Sequence, residues 1–424
     1  MADRQNLQRI TSTMTQVASL DYPPLPRAEL KPLGQQSGSS APRSAAYAGR
    51  FYFPELDAIR IFLFFSVWSY HTLPRDASFF LEHRFPPVLA SLATTVVKAC
   101  ICSLDVFFIL SAFLITELLL RERDARTSVD LEAFYVRRLL RIWPLYFFMI
   151  ALAVLSTRFD HNQVFGWNYA LGFLFFAGNW VMVFHGFQQA TFMAPLWSVS
   201  FEEQFYLLWP LVIRKASAKL IRNIAIGLLV VASSARLVLL LHHVHGDALW
   251  FNSFARLDSI ALGILLALAF HGRSTFSLGL LARIAFLALG ISAWTFVGYY
   301  CGLLNPVPTL ARGMIGYPLM SLGGAAIFLS VLGAAQDGMS FLKNPLLVYL
   351  GKISYGLYAF HLLALQLSTN LFAHYHHSFS QTLSWLFALG MTFFLAVISY
   401  RWLESPFLRW KQKSFTHVPS GAIP

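Results

Sequence analysis

From Phe51 onward, apolar stretches of membrane-spanning length alternate with short polar breaks, and this pattern restricts the possible folds more than any other feature of the sequence. A helix that crosses a bilayer needs about 20 mostly apolar residues. Charged residues make up 12% of the chain, whereas soluble domains have roughly a quarter. The sequence therefore predicts an all-α fold, a polytopic membrane helical bundle of about ten transmembrane helices, and excludes a soluble globule. The ten predicted spans are 53–73, 95–120, 142–157, 198–213, 220–241, 253–271, 281–303, 312–334, 346–367 and 383–403.

The distribution of Lys and Arg predicts the orientation of these helices, because cytoplasmic loops carry an excess of basic residues. Basic residues concentrate in 1–50, in the loop 121–141 and in 214–222. If all three segments are cytoplasmic, both termini are cytoplasmic, and inner segments hold 22 basic residues against five in outer ones. The apolar segment 165–184 then cannot cross the membrane and would re-enter or lie in the outer interface. The net charge of +12 is thus explained by topology, and we expect no nucleic-acid partner.

Composition divides the chain into three regions. Residues 1–50 are polar and rich in Gln, Ser, Pro and Gly, which predicts a disordered cytoplasmic tail, and the start MADRQNLQRI lacks the apolar core of a signal peptide. Residues 51–410 form the predicted membrane domain, and 411–424 form a short basic cytoplasmic tail. The three cysteines show no metal-ligand spacing, so no metal ion is expected.

The first predicted helix, ELDAIRIFLFFSVWSYH, carries the ionisable residues Asp57, Arg60 and His71. Such side chains are costly in a spanning helix and usually mark function. At about 100° and 1.5 Å per residue, Arg60 and His71 share one face and lie about 16 Å apart along the axis. Asp57 precedes Arg60 by three residues and can pair with it. One face is thus predicted to carry an ion pair near the cytoplasm and an imidazole near the outer side. The alternative is a topology anchor followed by an interfacial cap.

Two adjacent acids, Glu202 and Glu203, lie near the start of the fourth predicted helix, in PLWSVSFEEQFYLLWP. Because consecutive helical residues point about 100° apart, at most one of them can point squarely into a pocket. Arg256 and Asp258 open the sixth predicted helix, near the outer face. We identify these four residues as candidate substrate-binding residues. A solvated helix N-terminus and interfacial snorkelling are the alternatives.

A histidine lies on a polar face of the ninth predicted helix. Steps of four and three residues place Ser354, Tyr358 and His361 on this face. His361 is therefore a further candidate substrate-binding residue, and the alternative is a hydrogen-bonded structural histidine.

An arginine cluster marks the predicted cytoplasmic end of the third helix. The run FYVRRLLRIWPLY contains Arg137, Arg138 and Arg141. These residues contribute to the basic excess of cytoplasmic loops, but arginine clusters also bind phosphates through paired hydrogen bonds. We identify them as candidate cofactor-binding residues for a large anionic cofactor.

Seven segments together resemble the acyltransferase-3 family of integral-membrane O-acyltransferases, which includes bacterial O-acetyltransferases of surface glycans. They occur in the family's order and identify residues 51–410 as an acyltransferase-3 membrane domain. The family's hallmark, an Arg and a His separated by ten residues in the first helix, corresponds to Arg60 and His71. Ala58 and Ala112 stand where the family usually has glycine. The segments are ELDAIRIFLFFSVWSYH, SLDVFFILSAFLITELLL, FYVRRLLRIWPLY, PLWSVSFEEQFYLLWPL, RLDSIALGILLAL, LGKISYGLYAFH and SYRWLESPF.

The resemblance implies transfer of an acyl group, by family habit acetyl, from cytoplasmic acyl-CoA as co-substrate to a hydroxyl of a carbohydrate or glycan at the outer side. The hallmark implies Arg60 and His71 as functional residues, and we take His71, Arg60 and Asp57 as the candidate catalytic residues. We expect His71 to act as general base, and a transient acyl-His intermediate is the open alternative. The implied location is a bacterial inner membrane, in contact with lipid. The rival interpretation is a transporter or a flippase of a lipid-linked sugar, although the sequence shows no repeat of the kind that such carriers usually have.

Overall fold

The computed structural model describes residues 52–157, 166–186, 192–273, 276–303, 307–372 and 378–414. The predicted tail 1–50 and residues 415–424 lie outside these ranges. The α-helices of the described part are α1 (Pro54–Thr72), α2 (Ala77–Glu82), α3 (Pro87–Ala99), α4 (Ser103–Arg126), α5 (Leu131–Ser156), α6 (Trp167–Leu174), α7 (Gly178–His185), α8 (Trp197–Lys215), α9 (Ala218–Leu241), α10 (Gly246–Phe251), α11 (Leu257–Phe270), α12 (Leu280–Phe296), α13 (Leu310–Val331), α14 (Pro345–Lys352), α15 (Ser354–Phe372), α16 (Ser378–Ser399) and α17 (Ser405–Ser414).

The protein is a multi-pass membrane protein. Six helical stretches of the described chain are long and apolar enough to cross a bilayer, and a seventh results if α14 and α15 form one span bent by 64°. Each of the ten predicted spans overlaps one of the longer helices, but a count of ten crossings is not confirmed. Charged side chains interrupt the apolar character of α1 and α8, and α11 has only 14 residues. The six stretches are Pro87–Arg126, Leu131–Ser156, Ala218–Leu241, Leu280–Cys301, Leu310–Val331 and Gln381–Arg409.

The ambiguous apolar segment 165–184 contains two short helices, α6 and α7, of eight residues each. Between them Phe176 adopts a φ of 54°, which reverses the chain direction. An eight-residue helix is only about 12 Å long, less than half the hydrocarbon thickness of a bilayer. The segment therefore does not form one spanning helix, as the charge pattern predicts.

The loop predicted at 121–141 is wrong, because helical structure occupies most of it. Helix α4 continues to Arg126, the chain turns at Thr127 with a φ of 64°, and α5 begins at Leu131. Asp130 caps α5, since its carboxylate accepts a hydrogen bond of 3.0 Å from the Ala133 amide. In the sequence, Arg137, Arg138 and Arg141 interrupt the apolar residues, so the predicted helix begins only after them, at residue 142. They consequently lie two to three turns inside α5.

Helix α4 occupies the centre of the bundle and packs against α1, α8, α11 and α13. Its approach to α11 requires a glycine, because a Cβ at Gly263 would lie 2.5 Å from the Ile109 carbonyl and 2.7 Å from the Ala112 Cβ. Ala112, one of the two departures from the family pattern, is fully buried there. Its methyl group is accommodated because the facing residue has no side chain.

Candidate active site

A cavity of about 120 Å³ lies between α1, α4, α5, α8 and α15. Each helix contributes a polar side chain to the wall, and apolar side chains of α4 form much of the remainder. The cavity thus combines cationic groups with an apolar wall. The five polar contributions include Arg60, Ser111, Arg138, Glu202 and Tyr358.

The cavity follows α8 from Tyr206 to Ser198, a length of about 12 Å at 1.5 Å per residue. The Arg138 guanidinium lies 5.5 Å from the centre of the Tyr206 ring and marks one end. At the other end, the Tyr358 hydroxyl lies 2.9 Å from the Ser198 hydroxyl. The two ends therefore differ in chemistry, one cationic and the other neutral and polar.

The cationic end contains two of the three candidate cofactor-binding arginines. Arg138 and Arg141 both line the cavity, and neither forms an ion pair with a carboxylate of the described residues. The Nη1 atom of Arg141 is buried and has no hydrogen-bond partner there. Arg137 points elsewhere and pairs with Glu122 at 3.4 Å. The site thus presents two guanidinium groups that form no direct ion pair with a carboxylate of the described residues.

Helix α1 brings the predicted ion pair to the cavity. The Arg60 Nη1 atom donates to the Asp57 carboxylate at 2.5 Å, and the Tyr52 hydroxyl donates to the same carboxylate at 3.1 Å. Both members of the pair are buried, and Arg60 lines the cavity. Asp57 therefore holds Arg60 in place and offsets its charge.

The two adjacent acids of α8 point in different directions, as the helical geometry requires. Glu202 lines the cavity and accepts a hydrogen bond of 2.8 Å from the Tyr206 hydroxyl, which also lies 2.9 Å from the Ser111 hydroxyl. Glu203 instead accepts a hydrogen bond of 3.3 Å from the Trp143 indole. The sequence analysis missed Tyr206, although its position four residues after Glu202 is the spacing that brings helical side chains together.

Two imidazole rings meet beside the neutral end of the cavity. The ring centres of His71, on α1, and His361, on α15, are 5.2 Å apart. His361 is 1% exposed, and its Nδ1 lies 2.6 Å from the Tyr358 carbonyl. The Tyr358 ring, which lines the cavity, lies 5.6 Å from the His361 ring. The sequence did not predict the contact between the two histidines, because it joins two helices that are far apart in the chain.

The remaining candidates, Arg256 and Asp258, belong to a separate buried cluster. Arg256 donates to Asp105 at 2.6 Å, and Arg236 forms an ion pair with Asp258. The Ser321 hydroxyl donates to Asp105 at 2.5 Å. The structure does not bring either candidate to the wall of the cavity. Within the described ranges, no group of three or more His, Cys, Asp or Glu side chains is arranged to hold a metal ion.

Comparisons with known proteins agree with the sequence motifs. Residues 53–401 match the family model described as an acyltransferase domain. The peptidoglycan O-acetyltransferase of Listeria monocytogenes is 26% identical over 381 residues, which cover 86% of this chain and 57% of that protein. A Bacillus subtilis protein assigned provisionally as a peptidoglycan O-acetyltransferase is 28% identical over 394 residues, which cover 86% of this chain and 56% of its own length. The chain thus spans little more than half the length of these relatives. No solved structure matches it significantly.

Proposed function

Because the chain belongs to the acyltransferase-3 family, we propose that it is a membrane-bound O-acyltransferase. In this proposal it moves an acetyl group from cytoplasmic acetyl-CoA to a hydroxyl of a glycan at the outer side of a bacterial inner membrane. Peptidoglycan is the first acceptor to test, since one relative is named for it. The observation that best supports the proposal is a cavity with two arginines that form no direct ion pair at one end and a histidine pair beside the other.

The proposal requires a defined orientation. With about ten crossings and both termini in the cytoplasm, α5 begins and α8 ends on the cytoplasmic side. Arg138 then lies nearer the cytoplasm, and Ser198, with the histidines beside it, lies nearer the outer side. Acyl-CoA that enters from the cytoplasm and an acceptor that enters from outside would then meet at the Ser198 end of the cavity.

The arginines suit the donor, because CoA carries several phosphate charges. Guanidinium groups bind phosphates through paired, charge-assisted hydrogen bonds. We assign this role to Arg138 and Arg141, which line the cavity without acidic partners. Arg137, paired with Glu122, lies beside them and contributes mainly to the local positive charge. The apolar wall of α4 would accommodate the pantetheine arm.

The histidines suit the chemistry at the other end. His71 takes the proton of the acceptor hydroxyl while its oxygen forms a bond to the thioester carbon. The carbon–sulfur bond breaks, and the imidazolium returns the proton to the departing thiolate. Acyl transfer first to the His71 ring and then to the hydroxyl is the covalent variant. Arg60, held by Asp57, supplies positive charge along the path of the donor.

The acceptor contacts are proposed for the part of the cavity that α8 lines. Glu202 can accept hydrogen bonds from sugar hydroxyls, because its carboxylate faces the cavity. Glu203, Arg256 and Asp258 are left out of this assignment, since their side chains bind other protein groups.

The test uses the full chain, purified and reconstituted in nanodiscs with labelled acetyl-CoA and soluble peptidoglycan fragments. We expect CoA release that depends on the acceptor, together with a labelled ester. His71→Ala should lower the rate by about 10²–10⁴-fold, the usual contribution of a general base, while the protein stays folded and binds CoA. Full activity of His71→Ala would refute the role of that residue. Absence of CoA release, combined with uptake of lipid-linked sugar into vesicles, would favour the transporter interpretation.

A further inference from the structure

We propose that His361 is a positioning residue, whose Nε2 atom accepts a hydrogen bond from the His71 ring and so fixes the tautomer and orientation of the base. This inference rests on the proposed function, because it assigns His361 a role in the reaction that His71 carries out. It replaces the acceptor contact that the sequence suggests for His361.

The hydrogen bonding of His361 determines which ring nitrogen carries its proton. Nδ1 lies 2.6 Å from the Tyr358 carbonyl oxygen, and a carbonyl oxygen can only accept. The proton of a neutral ring is therefore assigned to Nδ1, which leaves Nε2 as an acceptor with a free lone pair. Nε2 is buried and has no hydrogen-bond partner among the described residues. A buried acceptor without a donor destabilises a protein, so this atom calls for an explanation.

The His71 ring lies close enough to satisfy this atom. The two ring centres are 5.2 Å apart, and the ring planes meet at 50°. Two imidazoles joined by an N–H···N bond of about 2.9 Å have centres roughly 5 Å apart when the bonded nitrogens face each other. The Tyr358 hydroxyl does not compete, because it already lies 2.8 Å from the Pro195 carbonyl and 2.9 Å from the Ser198 hydroxyl. The described hydrogen bonds do not engage His71, so its ring can turn to donate.

The neighbours of His361 hold it rigidly. Its Nδ1 is fixed to the backbone of its own helix, and the Phe64 ring packs against it edge-on at 6.5 Å between ring centres. His71 is more exposed, since it is only half-buried beside the fully buried His361. A buried, hydrogen-bonded acceptor behind a less buried imidazole is the arrangement that a base and its orienting partner require.

The hydrogen bond would act mainly in the transition state. When one N–H group of His71 is donated to His361, the other ring nitrogen has its lone pair free for the acceptor hydroxyl. Once His71 has taken the proton, the same bond joins an imidazolium donor to a neutral acceptor and becomes stronger. A contact that strengthens in the transition state raises kcat rather than substrate affinity. No proton passes to His361, and the proton taken by His71 leaves on the thiolate.

Two variants of His361 separate this role from a structural one. In His361→Gln, the side-chain amide oxygen can occupy the position of Nε2 and accept the bond. In His361→Asn, the amide lies near the position of Nδ1, and no acceptor reaches His71. We expect Asn to lower kcat by about 10–100-fold, the usual cost of losing an orienting partner, with an unchanged KM for acetyl-CoA. Gln should restore most of that loss.

The outcomes distinguish this inference from the proposed function. Equal losses in the Gln and Asn variants, or a raised KM with normal kcat, would overturn the role of His361. Wild-type rates in both variants, with an inactive His71→Ala, would overturn only this inference. Full activity of His71→Ala would instead contradict the proposed base itself. CoA binding and the thermal unfolding of each variant in nanodiscs report whether it is folded.

Discussion

Two groups of buried arginines in this bundle differ in how their charge is neutralised. Arg256 and Arg236 each pair with an aspartate of another helix or segment, Asp105 and Asp258 respectively. Arg138 and Arg141 form no ion pair with a carboxylate of the described residues, although both are partly buried. Burial of an unpaired charge is costly, so a protein that retains one usually gains something from it. The first group is therefore neutralised within the fold, and for the second we propose an anionic ligand as the partner.

The paired group has further features of a structural cluster. The Arg256 guanidinium lies 4.1 Å from the centre of the Trp250 ring, and the Ser259 and Ser321 hydroxyls are 3.0 Å apart beside Asp105. None of these side chains lines the cavity described above. The comparison thus predicts opposite effects of substitution: loss of stability in one group and loss of donor affinity in the other.

The largest effect is expected from Asp105→Asn. Removing one member of a buried ion pair leaves the other charge uncompensated and costs about 3–5 kcal/mol. We therefore expect the free energy of unfolding to fall by that amount, measured by reversible unfolding in mixed micelles. The double variant Asp105→Asn/Arg256→Met should recover much of the loss, because no lone charge remains. If Asp105→Asn left the stability unchanged and raised the KM for either substrate, Arg256 would serve substrate binding. The two groups of arginines would then not differ in the way proposed.

The next effect is expected from Arg138→Gln, with Arg137→Gln as the matched control. A hydrogen bond to a charged group contributes about 1.5–3 kcal/mol, so Kd for CoA should rise by roughly 10–100-fold. The KM for acetyl-CoA should rise more than kcat falls. Arg137→Gln should change Kd much less, because Glu122 already engages Arg137. Calorimetric titration of CoA into nanodiscs measures the Kd of each variant.

The same substitution should affect stability in the opposite sense to Asp105→Asn. Because Arg138 forms no direct ion pair within the described residues, replacing it removes a partly buried charge without orphaning a partner, and the free energy of unfolding should stay constant or increase. A clear loss of stability in Arg138→Gln would show that this arginine also supports the fold. The distinction between the two groups would then be one of degree.

The sequence predicted those parts of the site that depend on a single helix. The Asp57–Arg60 pair and the divergence of Glu202 from Glu203 both follow from 100° per residue. The contact between His71 and His361 could not be predicted, because it depends on how two distant helices pack. The aspartate partners of Arg256 and Arg236 were missed for the same reason. The start of α5 was misplaced because arginines that face a cavity look, in sequence, like a polar loop.

The smallest effect concerns a third arginine pair, which lies near the surface. Arg283, on α12, forms an ion pair with Asp337, in the loop between α13 and α14, and also donates to the Ser330 and Leu332 carbonyls at 2.8 and 3.0 Å. The hydrogen bond from Arg283 lowers the pKa of Asp337 to about 2. An aspartate in an unfolded chain has a pKa of about 3.9. The pair therefore stabilises the protein above pH 4, and its contribution is lost as the pH falls towards 2.

Asp337→Asn tests whether this pair resembles the buried pairs or is merely a surface contact. Solvent near the carboxylate weakens the attraction, so the loss of stability at pH 7 should be smaller than that of Asp105→Asn. The unfolding free energies of wild type and Asp337→Asn should differ at pH 7 and converge between pH 4 and pH 2. Such convergence requires that only the ionised Asp337 contributes to stability. A difference that stays constant over this range would mean that the Asp337 side chain acts through packing or neutral hydrogen bonds, and that charge neutralisation does not explain this pair.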